Sequence, residues 1–271
     1  MTAIRRIQFC AEAPQGAALR RIFRQPRPAV AVEEEMSPAD LPPPGVWPEP
    51  TGQLWVVLAQ PGETLDFLHD PAAWLAPPDQ PEAPLPVAVE RQGMMLRWRP
   101  GRAVLQAPPD QMATALAALT EFAFYEGELR ALERTVEDRE PEAQRDVELA
   151  YRVRHRHRDQ WPRLGDLLEG CARDRLTFAR LQPRLARGSK SLPPAARQLV
   201  TKLLRQAAAP ARSKALDIRL EALEDLYEGA VDRIADYRWY RNGHSLETTI
   251  ILLLVLEAIL MAVEVSLSYR T

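Results

Sequence analysis

The residues best suited to chemistry lie between positions 126 and 163. His155 and His157 flank Arg156, and two imidazoles can ligate a metal. Alternate positions on a helix point about 200° apart, however, and the surrounding arginines repel a cation, so no metal site and no cofactor are expected. Arg152, Arg154, Arg156 and Arg158, with Trp161 and Arg163 just beyond, offer guanidinium forks to phosphate, whether in RNA, a ribosome or an anionic lipid head. Spread around a helix and balanced by nearby acids, the same residues also read as a solvent-exposed turn. Carboxylates abound in Glu126-Gly127-Glu128 and from Glu133 to Glu142, yet Arg130, Arg134 and Arg139 interleave with them. That pattern reads as a solvated ion-pair face and singles out no general acid or base.

Nucleotide hydrolysis by a P-loop is excluded, because GxxxxGK[ST] is absent and the 12 glycines are scattered. Cys10 and Cys171 stand far apart in no metal-type spacing and read as buried thiols of a reducing compartment. A formal net charge of -2 gives no global attraction to nucleic acid or anionic lipid, so such binding would need a local patch. No catalytic residue and no small-molecule substrate emerge, and a non-enzymatic protein is expected.

The elements that must position these residues change character along the chain. Up to about residue 108, proline clusters at 26–50 and 71–86 break the sequence, which rules out long helices there. The N-terminus is Arg-rich, like a transit peptide, but Ile4, Ile7 and Phe9 read as the start of a strand. Further strands are expected at Leu54 to Leu58, Val87 to Val89, Met94 to Trp98 and Ala103 to Leu105. Gln92-Gly93 and Pro100-Gly101 separate the last three into an antiparallel meander. Ala17 to Arg24 reads as a short helix.

From Asp110 the apolar period becomes helical. One helix is expected from Gln111 to the residue before Pro141, others over 143–160, 164–181 and 195–208. Leu216, Leu220, Leu223, Tyr227, Ala230, Ile234 and Tyr237 then form a heptad seam. It serves equally as the core of a bundle within the chain or as an oligomer seam between chains.

After a breaker at Arg241-Asn242-Gly243-His244, the 21 residues from Thr248 to Ser268 contain two charges, Glu257 and Glu264. A helix of that length is about 30 Å long, matching the hydrocarbon thickness. Ile250, Ile251, Leu252, Leu253, Leu254, Val255, Leu256, Ile259, Leu260 and Val263 are the expected membrane anchor. Insertion gains an estimated 4 to 8 kcal/mol from the apolar residues and loses about 5 to the two glutamates. Seven residues apart, Glu257 and Glu264 form an intramembrane polar stripe that suits helix association. The other reading is an amphipathic helix that hides its apolar face in an oligomer. Arg233, Arg238 and Arg241 precede the segment and only Arg270 follows it, which places the bulk of a single-pass protein on the cytoplasmic side of a bacterial inner membrane, or in the matrix of a mitochondrion.

The order of these features, a small α/β portion, then ALTEFAFYEGELRALE, then a paired-helix segment running into HSLETTIILLLVLEAILMAVEVSL, resembles the required-for-meiotic-nuclear-division family. Leu119 through Glu128 and Ser245 through Val265, with Leu246 and Glu247, occupy the places of the family's two characteristic stretches. The family's aromatic strand has at best Gln53 to Leu58 as its counterpart, and the loop at 182–194 departs from it. The resemblance implies a membrane-anchored oligomer without known catalysis, whose mitochondrial relatives support translation at the inner membrane.

The fold expected is α+β: a small antiparallel-sheet domain at 1–108, an all-α region with long paired helices at 109–243, and a single C-terminal transmembrane helix at 244–271. The function expected is a membrane-anchored homo-oligomeric scaffold. A membrane-tethered RNA- or ribosome-binding module and an oligomer assembled through its terminal helix are the alternatives.

Overall fold

The computed structural model describes residues 2–14, 18–43, 52–63, 65, 71–75, 86–91, 93–151 and 160–268. Seven strands come first: β1 (Ala3–Cys10), β2 (Leu19–Phe23), β3 (Ala29–Met36), β4 (Gln53–Ala59), β5 (Val87–Arg91), β6 (Met94–Arg99) and β7 (Arg102–Gln106). A short helix α1 (Pro71–Leu75) lies between β4 and β5, and α2 (Pro109–Tyr151), α3 (Trp161–Arg187), α4 (Pro194–Gln206) and α5 (Ala209–Ser268) follow.

The strands form one sheet in the order β2-β3-β1-β4-β7-β6-β5. The meander of the last three is present, with β5–β6 and β6–β7 both antiparallel. Pro100 and Gly101 make its second turn, where Pro sets the first φ and Gly101 supplies φ +79°. Two expectations fail here. The sheet is mixed rather than antiparallel, because β4 and β7 pair in parallel from Trp55↔Arg102 to Ala59↔Gln106. Residues 19–23 form an edge strand on β3, not a helix: Leu19, Ile22 and Phe23 fit a helical period, but a five-residue segment takes the structure its neighbour offers.

Both faces of the sheet are covered, which explains the near-continuous apolar run of β4. On one face Ile4, Trp55, Val57 and Val104 pack with Trp74 and Leu75 of α1. On the other, Trp98 of β6 meets Phe122 of α2 edge-on at 4.8 Å, and Phe23 of β2 stacks on Phe124 at 3.9 Å. Leu116, Leu119, Leu129, Leu132 and Val136, at helical spacing, form the buried face of α2, each at most 5% exposed.

Helix boundaries were the weaker expectation. α2 passes through Pro141 to Tyr151. Pro141 gives no amide to the carbonyl one turn back, yet Ala143, Asp146 and Leu149 beyond it are buried, and that packing carries the helix on. α5 likewise passes through Gly243, where one glycine costs only about 1 kcal/mol relative to alanine.

Contacts divide the chain into two units, Met1–Arg139 with Arg173–Leu220, and Glu140–Ala172 with Glu221–Thr271. The first holds the sheet together with the start of α2, the end of α3, all of α4 and the start of α5.

The expected transmembrane helix is overturned. Among the described residues no helix is long and apolar enough to cross a membrane. The apolar stretch whose side chains are described runs from Ile250 to Met261. Glu257 stands within that run, a charge that a spanning helix would have to carry through the hydrocarbon core. The tail-anchored, single-pass inner-membrane placement and the orientation derived from it fall with that helix.

Candidate functional site

The first unit carries three buried charged groups. Glu121 of α2 is wholly buried and joins two segments far from it in sequence. One carboxylate oxygen accepts the Ser189 amide from the α3–α4 loop, and the other accepts Arg21 of β2. Arg21 also donates to the Ser191 hydroxyl at 2.8 Å. Burial pushes the Glu121 carboxyl up, outweighing Arg21, the Ser189 amide and Arg184, and pushes the adjacent Tyr125 hydroxyl up to about 12. A folded carboxyl raised above its unfolded value adds stability at low pH that is lost as pH rises through the folded value. Urea midpoints measured from pH 7 down to pH 4 should therefore shift in favour of the wild type relative to Glu121→Gln. A shift the other way would show that Arg21 outweighs burial.

The loop reaches Glu121 because Gly188 turns with φ +63°. A Cβ at Gly188 would lie 3.3 Å from the Val200 Cγ1 and 3.4 Å from the Glu121 Oε1. Gly188→Ala is expected to cost about 1–2 kcal/mol through the left-handed backbone alone, measurable as a lower denaturation midpoint.

A second group joins α2 to the start of α5. Glu126, expected on a solvated face, is wholly buried. One of its oxygens accepts Arg130 Nε at 2.6 Å and Arg212 Nη1 at 2.7 Å. Its Oε2 is buried without a hydrogen-bond partner. Arg212 also pairs with Glu133; burial pulls its guanidinium down, but Glu133 and Glu126 hold it above its usual value. The third group is Arg102, whose guanidinium donates to the carbonyls of Trp74 at 2.7 Å and Pro43 at 2.9 Å and lies 5.0 Å from the Trp74 ring. Burial brings it down to about 10. All three groups tie elements together.

In the second unit Arg163 bridges Glu142 and Asp146 of α2. Tyr227 of α5 is wholly buried, its hydroxyl has no hydrogen-bond partner, and burial beside Asp146 and Glu142 pushes it up to about 12. Among the described residues no group of three His, Cys, Asp or Glu is placed to hold a metal ion. Neither Cys10 nor Cys171 forms a disulfide.

The expected phosphate-binding residues Arg152, Arg154, Arg156 and Arg158, with His155 and His157, lie outside the described residues. Arg163 at the end of that patch is held by its two carboxylates. The heptad residues Leu216, Leu220, Leu223, Tyr227, Ala230 and Ile234 are each at most 6% exposed within the single chain. Their apolar face is thus occupied inside the chain, which removes it as a free oligomer seam.

What stands exposed is the far end of α5. Ile250, Ile251, Leu252, Leu253, Leu254, Val255, Leu256, Ile259, Leu260 and Met261 are each 50–66% exposed. Seven consecutive apolar residues occupy every side of a helix, and a helix apolar all round is stable only when surrounded. Glu257 is exposed among them. Val263 and Glu264 belong to the helix, with side chains outside the described residues.

No protein-family model matches the chain, and no curated protein matches it. The resemblance over residues 100 to 265 accordingly assigns no residue a role. Sequence reasoning found the apolar end of α5 directly, from composition. It missed Glu121, Glu126 and Arg102, whose partners lie far away in sequence.

Proposed function

We propose that this chain is a non-enzymatic scaffold that self-associates through the apolar end of α5, each copy contributing its sheet-bearing unit as a platform. The exposed run from Ile250 to Met261 carries the proposal. Ten large side chains at 50–66% exposure present on the order of 1,000 Å² of apolar surface, beyond what a monomer ordinarily leaves bare and more than the ~800 Å² that one partner contributes to a stable complex. A second copy is the favoured occupant: it brings an equally apolar surface at equal concentration, and several copies in a closed array cover all sides of each helix.

Light scattering on the full chain in buffer without detergent tests this. The wild type is expected as a multimer, and the full-length double variant Leu253→Glu, Leu260→Glu as a monomer with unchanged helix content. A monomeric wild type, or one that binds phospholipid vesicles without self-associating, overturns the proposal.

A further inference from the structure

We infer that the acid-free stretch from Arg175 to Leu216 docks a nucleic-acid duplex by its phosphate backbone. The stretch carries ten Lys and Arg and no Asp or Glu, where an even spread of the chain's 37 acids would place about six. All three lysines of the chain lie in it, and the compensating acids lie elsewhere, so the net charge of -2 hides the segregation. The inference is independent of the assembly proposed above.

The stretch spans the end of α3, the loop after it, α4 and the start of α5, all within the first unit. α4 turns Ala196, Leu199, Val200, Leu203 and Leu204 inward. Gln198, Lys202 and Arg205, spaced by four and three residues, share its outer face and are exposed. Arg180 and Arg187 of α3, Lys190 of the loop and Lys214 of α5 are exposed as well. Among the described residues none of these six cations has a carboxylate partner. The acids that approach the stretch are already engaged: Asp174 by Arg139, Asp217 by Arg175, Glu121 by Arg21, and Glu126 and Glu133 by Arg212. Glu90 of β5 offers Lys202 its carbonyl at 3.1 Å. Arg91 beside it donates to Gln198 at 3.2 Å and adds a further guanidinium to the outer face of α4.

Among polyanions this surface fits a duplex. Between Leu176 and Ile218 no large apolar side chain is exposed among the described residues. It therefore lacks both the apolar core of a protein interface and anything to insert into lipid. No aromatic residue occurs from 179 to 226, which removes stacking on unpaired bases. Exposed Lys and Arg alone suit the regular phosphates of a duplex, held without regard to sequence.

The experiment titrates a labelled DNA duplex, and its RNA counterpart, with the full chain and follows fluorescence anisotropy from about 50 to 200 mM salt. With all six cations on phosphates, log K for the wild type should fall against log salt with a slope of about -5, equally for duplexes of unrelated sequence. Arg187→Gln, Lys190→Gln and Arg205→Gln together should flatten that slope by about 3, with the circular-dichroism melt unchanged. A wild type that binds neither duplex at the lowest salt, or a variant that keeps the wild-type slope, overturns the inference. So does competition by polyglutamate or by anionic phospholipid vesicles as effective as that of unlabelled duplex, which would assign the surface to an acidic protein or to a membrane.

Discussion

Arg212→Ala is expected to destabilise the first unit by about 3 kcal/mol, the lower end of the cost of breaking a buried ion pair. Glu126 is wholly buried, and removing Arg212 leaves it with Arg130, whose side chain is 36% exposed. Glu133 also loses its partner but is itself 18% exposed, so its loss is the smaller. At about 2–4 °C per kcal/mol for a protein of this size, the thermal midpoint should fall by roughly 6–12 °C. Adding Glu126→Gln should restore part of that loss, because it removes the charge left stranded. If the double variant is no more stable than the single one, the penalty comes from lost packing rather than from the bare carboxylate.

Trp74→Ala should cost about 3–5 kcal/mol. The ring is 1% exposed, fills the core on one face of the sheet and lies beneath the Arg102 guanidinium, while its indole N–H donates to the Pro42 carbonyl at 3.0 Å. Trp74→Phe separates these contributions. It keeps an aromatic surface under Arg102 and loses the N–H bond, so a loss of about 1 kcal/mol is expected if packing dominates. Chemical denaturation followed by tryptophan-independent circular dichroism measures both. Equal losses for Ala and Phe would assign the effect to the hydrogen bond instead.

These two sites show what the sequence could and could not disclose. Local signals were legible: Gly93 and Gly101 mark the turns of the meander because they must adopt positive φ, and the buried stripe of α2 follows from its three- and four-residue spacing. Pairings between distant segments were not. Nothing in residues 53–59 announces that β4 lies parallel to β7, since an apolar run covered on both faces carries no alternation to fix its neighbours. Glu126 looked like its solvated neighbours and Glu121 drew no reading, because burial of an acid depends on Arg212 and Arg21, 86 and 100 residues away. The apolar end of α5 was plain in composition and misassigned in environment. Hydropathy registers that a surface avoids water without saying what covers it.

The parallel β4–β7 ladder gives the sheet an internal division. On one side, β1 to β4 lie within residues 3–59 and pair only among themselves, in antiparallel ladders; on the other, β5 to β7 occupy 87–106 and do the same. One ladder of five residue pairs, Trp55↔Arg102 to Ala59↔Gln106, joins them. The covalent link between residues 59 and 87 thus crosses no other ladder of the sheet. A chain interrupted there would retain every antiparallel pairing within its own fragment, and the two halves of the sheet would rejoin through one parallel ladder, with Phe23 against Phe124 and Arg21 against Glu121 holding the first half to α2.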